Sequence, residues 1–205
     1  MNADEAAFLR ALFAGTHFDD EVVEFAGALG SAPQTPGGLL LVGTPEEEPW
    51  HFAAHLTDEA EWASRPELSP TLVRWAVPLG APAHLGIGLE RIEAVRRGET
   101  LLVVAPDAAP EGLLERVDDA RRGGAHILAI DAGDDDLHGL AHEALTVPTT
   151  DGVPYMDVVQ HVVSQTAPRS AGGRASVRGR LGRLLDRLQG AAEPPRDQPR
   201  NRYDW

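Results

Sequence analysis

The feature that most constrains this chain is a unit repeated five times: a short, mainly apolar run, a turn, then an amphipathic stretch. The runs are Leu39-Leu40-Leu41-Val42, residues 71–77, Thr100-Leu101-Leu102-Val103-Val104-Ala105, residues 126–130 and residues 144–147. None alternates apolar with polar, so each reads as a strand buried on both faces rather than one face. The stretches between them, Trp50–Trp62, residues 85–97, Glu111–Arg122, residues 134–142 and residues 156–165, carry helix-like apolar spacing. Strands alternating with helices predict βαβ crossovers and a doubly wound, five-stranded parallel sheet with helices on both sides, a three-layer α/β fold. Ligands of such sheets sit beyond the carboxyl ends of the strands, where the strand order reverses. The loops to inspect therefore follow the apolar runs.

Around this core the chain reads as three parts. Residues 1–36 form an N-terminal helical segment, with Phe8, Leu12, Phe13, Val22, Val23 and Phe25 at helical spacing before a Gly/Pro-rich break. Residues 37–167 form the α/β domain. Residues 168–205 form a basic tail, in which Val177, Leu181, Leu184, Leu185 and Leu188 fall on one helical face and Arg174, Arg178, Arg180, Arg183 and Arg187 around the rest. Charge follows the same division. The first 168 residues hold nine Arg against 28 acids, a net of -19, and the remainder nine Arg against four acids, a net of +5.

An acidic body repels nucleic acid at long range. The tail reads as packing on its own domain or a sister subunit, or recruiting a protein partner. All 18 basic residues are arginine. With the abundant Ala, Gly and Pro this points to a high-GC bacterial genome rather than to guanidinium chemistry. The absence of Cys removes disulfides, thiolate nucleophiles and zinc–thiolate clusters. The acidic first residues, and the lack of any apolar run near the roughly 20 residues that span a bilayer, lead to a cytoplasmic reading without a membrane span. No G-x-S-x-G elbow surrounds any serine, so no nucleophile triad can be drawn.

Three segments resemble the sugar-isomerase (SIS) family. Gly43, followed by Trp50-His51-Phe52-Ala53-Ala54-His55-Leu56-Thr57, is similar to the first loop and helix of phosphoheptose isomerases. Arg121-Arg122-Gly123-Gly124-Ala125 resembles the family's helix end before its next strand. Leu140-Ala141-His142-Glu143-Ala144-Leu145-Thr146-Val147-Pro148 resembles its "leu-ala-asp-x-x-leu-x-val-pro" segment. The resemblance implies a SIS (flavodoxin-like) fold, a homodimer or larger assembly, and a carbohydrate-derivative ligand.

Departures from the family pattern fall on the ligand loops. Where the family binds phosphate with glycines and a serine at a helix N-terminus, this chain has Gly43-Thr44-Pro45-Glu46-Glu47-Glu48-Pro49. Glu46, Glu47 and Glu48 repel an anion there, and Pro45 and Pro49 remove two N–H donors. The second loop, rich in hydroxyls in the family, reads Ala105-Pro106-Asp107-Ala108-Ala109-Pro110. Asp107 reads either as a ligand-loop carboxylate or as an N-cap for the helix after it. Glu46–Glu48 and Asp134–Asp136 read more readily as solvated loop ends than as cation sites.

The resemblance also implies a metal site. His51 matches the family's metal-binding His, and His55 stands where the family has Glu. Asp157 and His161 lie on the closing helix, which supplies the remaining ligands in phosphoheptose isomerases. These four residues form the candidate set for a divalent ion such as zinc. A bare H-x-x-x-H also arises on ordinary surface or interface helices. Two functions follow. One is a non-catalytic or altered SIS-like module that binds a carbohydrate derivative or protein partner in regulation or assembly, or serves as an oligomeric scaffold whose tail recruits a partner. The other is a metal-dependent phosphosugar isomerase in which an arginine such as Arg74 holds the phosphate.

Overall fold

A computed structural model of the chain describes residues 17–82, 86–150 and 153–170. The first described helix, α1, spans His17–Ser31. Then follow β1 (Leu39–Val42), α2 (Trp50–Trp62), a single 3-10 turn at Pro66–Leu68 and β2 (Thr71–Val73). Next come α3 (Glu90–Glu93), β3 (Thr100–Ala105), α4 (Glu111–Arg122), β4 (His126–Asp131), α5 (Asp135–Leu140) and β5 (Glu143–Thr146). A hairpin of β6 (Thr149–Thr150) and β7 (Val153–Pro154) leads into α6 (Met156–Ser170). The five main strands form one all-parallel sheet in the order β2-β1-β3-β4-β5.

The unalternating runs are buried on both sides, as their composition requires. Every residue of β1 and β3 is buried. Successive side chains of a strand point to opposite faces. Leu39, Leu41, Leu102, Val104, Leu128 and Ile130 therefore pack under α1, α2 and α6, against Phe25, Leu29, Phe52, Leu56, Val159 and Val163. Leu40, Val42, Leu101, Val103 and Ile127 pack under α3, α4 and α5, against Ile92, Leu113, Val117 and Leu137. Each fully buried Leu, Ile, Val or Phe is worth about 1.5–3 kcal/mol relative to exposure. The two faces together hold the sheet rigid beneath its loops.

The most extensive helix–helix contact is between α1 and α6. It depends on Gly30, where a Cβ would lie 2.2 Å from the Ala167 carbonyl oxygen. Arg65 ties the same two helix ends: its Nη2 donates to Gly30 O (2.7 Å) and its Nη1 to Pro168 O (3.5 Å), while Nε pairs with Glu67 (2.9 Å).

Several elements differ from the sequence reading, and α5 ends at Leu140 rather than at residue 142. The helix expected over 85–97 is only the four residues of α3. Gly88 instead bridges Arg74 in parallel fashion, with Arg74 N–H donating to Ile87 O (2.9 Å), so the chain before α3 is extended. β2 ends at Val73, short of residue 77, because Val73 pairs with Val42, the last residue of β1. The closing helix runs on through Pro168 to Ser170, beyond residue 165. The β6–β7 hairpin has strands of two residues each, too short to leave a periodic signal. The basic amphipathic tail from residue 171 onward, and the apolar positions Phe8, Leu12 and Phe13, lie outside the described residues. No helix among the described residues is long and apolar enough to cross a membrane.

Candidate functional site

The strand order reverses between β1 and β3, so the loops after these strands flank the position where a doubly wound sheet takes its ligand. The β1–α2 loop closes on itself. Thr44 N–H donates to Glu47 O (3.1 Å), Glu47 N–H to Thr44 O (3.3 Å), and Trp50 N–H to Glu48 O (2.8 Å). Gly43 serves this closure, because a Cβ there would stand 2.0 Å from Glu47 O and 2.6 Å from Pro49 Cδ. Pro49 occupies the N-cap position of α2 and makes no side-chain cap. Four of the backbone donors that could cradle a phosphate are thus unavailable: the two prolines have none, and those of Thr44 and Glu47 turn inward.

The carboxylates of this loop have separate fates. Glu46 and Glu47 are exposed, while Glu48 is partly buried and paired with Arg74, whose Nη2 lies 2.8 Å and Nε 3.1 Å from Oε2. The hydrogen bond to Glu48 holds the Arg74 guanidinium above its ordinary pKa, against the desolvation that opposes it. Arg74 is therefore already committed to a carboxylate. Trp75 Nε1–H adds a bond to Gly43 O (2.8 Å), so the segment after β2 straps the loop down. Beneath it Thr44 is 1% exposed, and its hydroxyl has no hydrogen-bond partner among the described residues.

The second loop is held by a residue the sequence left among solvated loop ends. Asp134 Oδ2 accepts Ala109 N–H (2.7 Å), and Oδ1 accepts Asp136 N–H (3.1 Å) and Leu137 N–H (3.0 Å). One carboxylate of the chain itself takes three amide donors at the carboxyl end of the sheet, capping α5 and tying the β3–α4 loop to it. Asp107 does not cap α4. The N-cap of that helix falls on Pro110, without a side-chain cap. Asp107 instead lines a pocket of about 250 Å³ with Pro106, Ala108, Ala132, Gly133, Asp134 and Thr149. This lining carries two carboxylates and no basic group. Behind it Asp131 is fully buried. Its Oδ1 accepts Gly133 N–H (2.8 Å) and the Thr146 hydroxyl (3.2 Å), and Oδ2 lies 3.8 Å from His138 Nδ1, beyond hydrogen-bond reach.

Of the four candidate metal ligands, packing of α2 on α6 brings two together. The His55 and His161 rings meet at 4.8 Å between centroids, nearly perpendicular, and His161 Nε2 is 2.9 Å from Gln165 Nε2. His51, one turn before His55, lies against the Trp50 indole at 3.5 Å between centroids. Asp157 is exposed in the first turn of α6. Among the described residues, no three His, Asp or Glu side chains gather as a group that could hold a metal ion.

No family model matches this sequence, and no curated protein matches it either. Solved structures do share the fold. A provisionally assigned phosphosugar isomerase from Silicibacter pomeroyi DSS-3 superposes with a TM-score of 0.50 at 17% identity, over 91% of this chain and 53% of its own. A provisionally assigned sugar binding protein from Salmonella typhimurium LT2 gives 0.49 at 14% identity, over 90% of this chain and 53% of its own. The NanR protein of Vibrio vulnificus, solved with ManNAc-6P, gives 0.46 at 9% identity, over 85% of this chain and 60% of its own. The chain thus spans about half the length of the first two. At these identities the likeness concerns the fold: a five-stranded parallel α/β sheet of the type found in a phosphosugar isomerase.

Proposed function

We propose that this chain is a SIS-type domain protein whose phosphate seats are closed, and that it binds a carbohydrate derivative or a protein partner in regulation or assembly rather than isomerising a phosphosugar. One observation carries the reading. The Asp134 carboxylate takes the amide donors of Ala109, Asp136 and Leu137, where an anionic ligand would need them. The closed Gly43–Pro49 turn and the Arg74–Glu48 pair point the same way. Residues 37–167 are the ligand-binding domain on this reading. Residues 1–36 and 168–205 are accessory segments serving a homo-oligomer or recruiting a partner.

The second reading is a metal-dependent isomerase using His51, His55, Asp157 and His161, and the His55–His161 contact favours it. In an assembly, a neighbouring copy could supply further ligands to that pair. A thermal-shift panel of sugar phosphates, non-phosphorylated sugars and nucleotide sugars, each with and without Zn²⁺, separates the two. We expect sugar phosphates to leave the melting temperature unchanged with or without metal. Stabilisation by a sugar phosphate only when Zn²⁺ is present would reverse the preference.

A further inference from the structure

The amino end of the sheet, opposite the ligand loops, carries an arrangement that the reading above does not use. His142, just before edge strand β5, donates its backbone N–H to Ile127 O (2.8 Å), and its Nδ1 accepts the Ile127 N–H (2.9 Å). The imidazole so extends the β4–β5 ladder by one step, in place of a backbone carbonyl. A ring nitrogen that accepts must keep its lone pair, which fixes His142 as the neutral tautomer with its proton on Nε2.

The ring stacks on that of His126, the first residue of β4, at 4.7 Å and 21°. Glu143 follows it in β5. Glu99, whose carbonyl takes the His126 N–H (2.9 Å), has its carboxylate held by Arg91 and by Arg96 N–H. On the α4–α5 side, Arg121 Nη1 donates to Gly139 O (3.1 Å).

We propose that His142 is a proton-operated latch on β5. Protonation at Nδ1 turns the acceptor into a donor, sets it against the Ile127 N–H and leaves that buried amide without its partner. A second charge on stacked His126 adds repulsion. The head of β5 then separates from β4, its only partner in the sheet. The same strand carries Thr146, bonded to Asp131, and leads to Thr149 in the pocket wall. Mild acid therefore loosens the wall of the pocket from the far end of the strand. The latch does not depend on which ligand the pocket takes.

The test is amide hydrogen exchange at Ile127, corrected for the intrinsic rate, at pH 7.5 and pH 5.0. The comparison is wild type against His142→Asn, whose side-chain oxygen can accept at the Nδ1 position at every pH. Wild type should lose about tenfold or more of its protection at Ile127 on acidification, while the central Leu102 amide keeps its own. The variant should show no such loss. Unchanged wild-type protection, or an equal loss in the variant, overturns the proposal. Imidazole ¹⁵N spectra of wild type at pH 7.5 test it without any variant: the His142 proton must be on Nε2, and a proton on Nδ1 sinks the latch.

Discussion

Replacing Asp134 separates its two duties and measures the bond on which the proposed function rests. In Asp134→Ala, α5 loses its cap, a change worth typically about 1 kcal/mol. The same change orphans the Ala109 N–H in a residue only 8% exposed, which costs about 1–3 kcal/mol more. The expected total is about 2–4 kcal/mol. Asp134→Asn divides the sum. Its one carbonyl oxygen can keep the bonds to Asp136 and Leu137, but the amide nitrogen then faces the Ala109 donor, so a cost of about 1–3 kcal/mol should remain. Urea unfolding followed by circular dichroism reads both values, provided the slope with denaturant is unchanged. Inorganic phosphate added to Asp134→Ala supplies the functional half. If the carboxylate fills an anion seat, phosphate should raise the melting temperature of the variant and leave that of wild type alone. An alanine variant within 0.5 kcal/mol of wild type would refute the assigned bonds, and a stable variant indifferent to phosphate would refute the seat.

Three further outcomes follow from the same geometry. Gly43→Ala should destabilise by roughly 2 kcal/mol or more, seen as a fall in urea midpoint, because the new methyl meets Glu47 O and Pro49 Cδ in a loop strapped on two sides. Glu99 is raised by its burial, but the Arg91 hydrogen bond and the Arg96 amide outweigh this and hold it below the ordinary Glu value. Its contribution is therefore complete above that value, about 4.3, and is lost as pH falls from there through the lower folded value, so Glu99→Gln should flatten the stability–pH curve between about pH 5 and 3. If His55 and His161 hold a metal, Ni²⁺ should raise the wild-type melting temperature and not that of His55→Ala; no rise in wild type removes the metal reading.

Legibility in the sequence followed the range of the interaction. Strands β1 and β3 could be read to the residue, since burial on both faces leaves an uninterrupted apolar run, and so could α2 and α4, whose stripes face one layer. The α3 region could not. Its apolar residues suit a helix, but the bridge between Gly88 and Arg74 claims the backbone, and nothing local announces a partner in another segment. The ligand loops split similarly. Pro45, Pro49 and the three glutamates spoke against phosphate from composition alone, whereas three consecutive aspartates gave no sign that Asp134, not its neighbours, would reach an amide 25 residues upstream. Asp107 misled because it sits where caps sit, and Pro110 displaced it. Helical spacing put His51 and His55 on one face, but only the packing of α2 on α6 selects His55 to meet His161.

The Arg65 clamp has a consequence for kinetics. Its partners Gly30 and Pro168 are 35 and 103 residues away in sequence, so the guanidinium finds both only after the first and last described helices have docked. We expect such a clamp, which needs both helix ends already in place, to close after the transition state. Arg65→Ala should then leave the refolding rate nearly unchanged and speed unfolding, since interactions absent from the transition state act on the escape barrier alone. The residue that fastens the ends of α1 and α6 thus governs how long the fold lasts once made, and hardly at all how quickly it is reached.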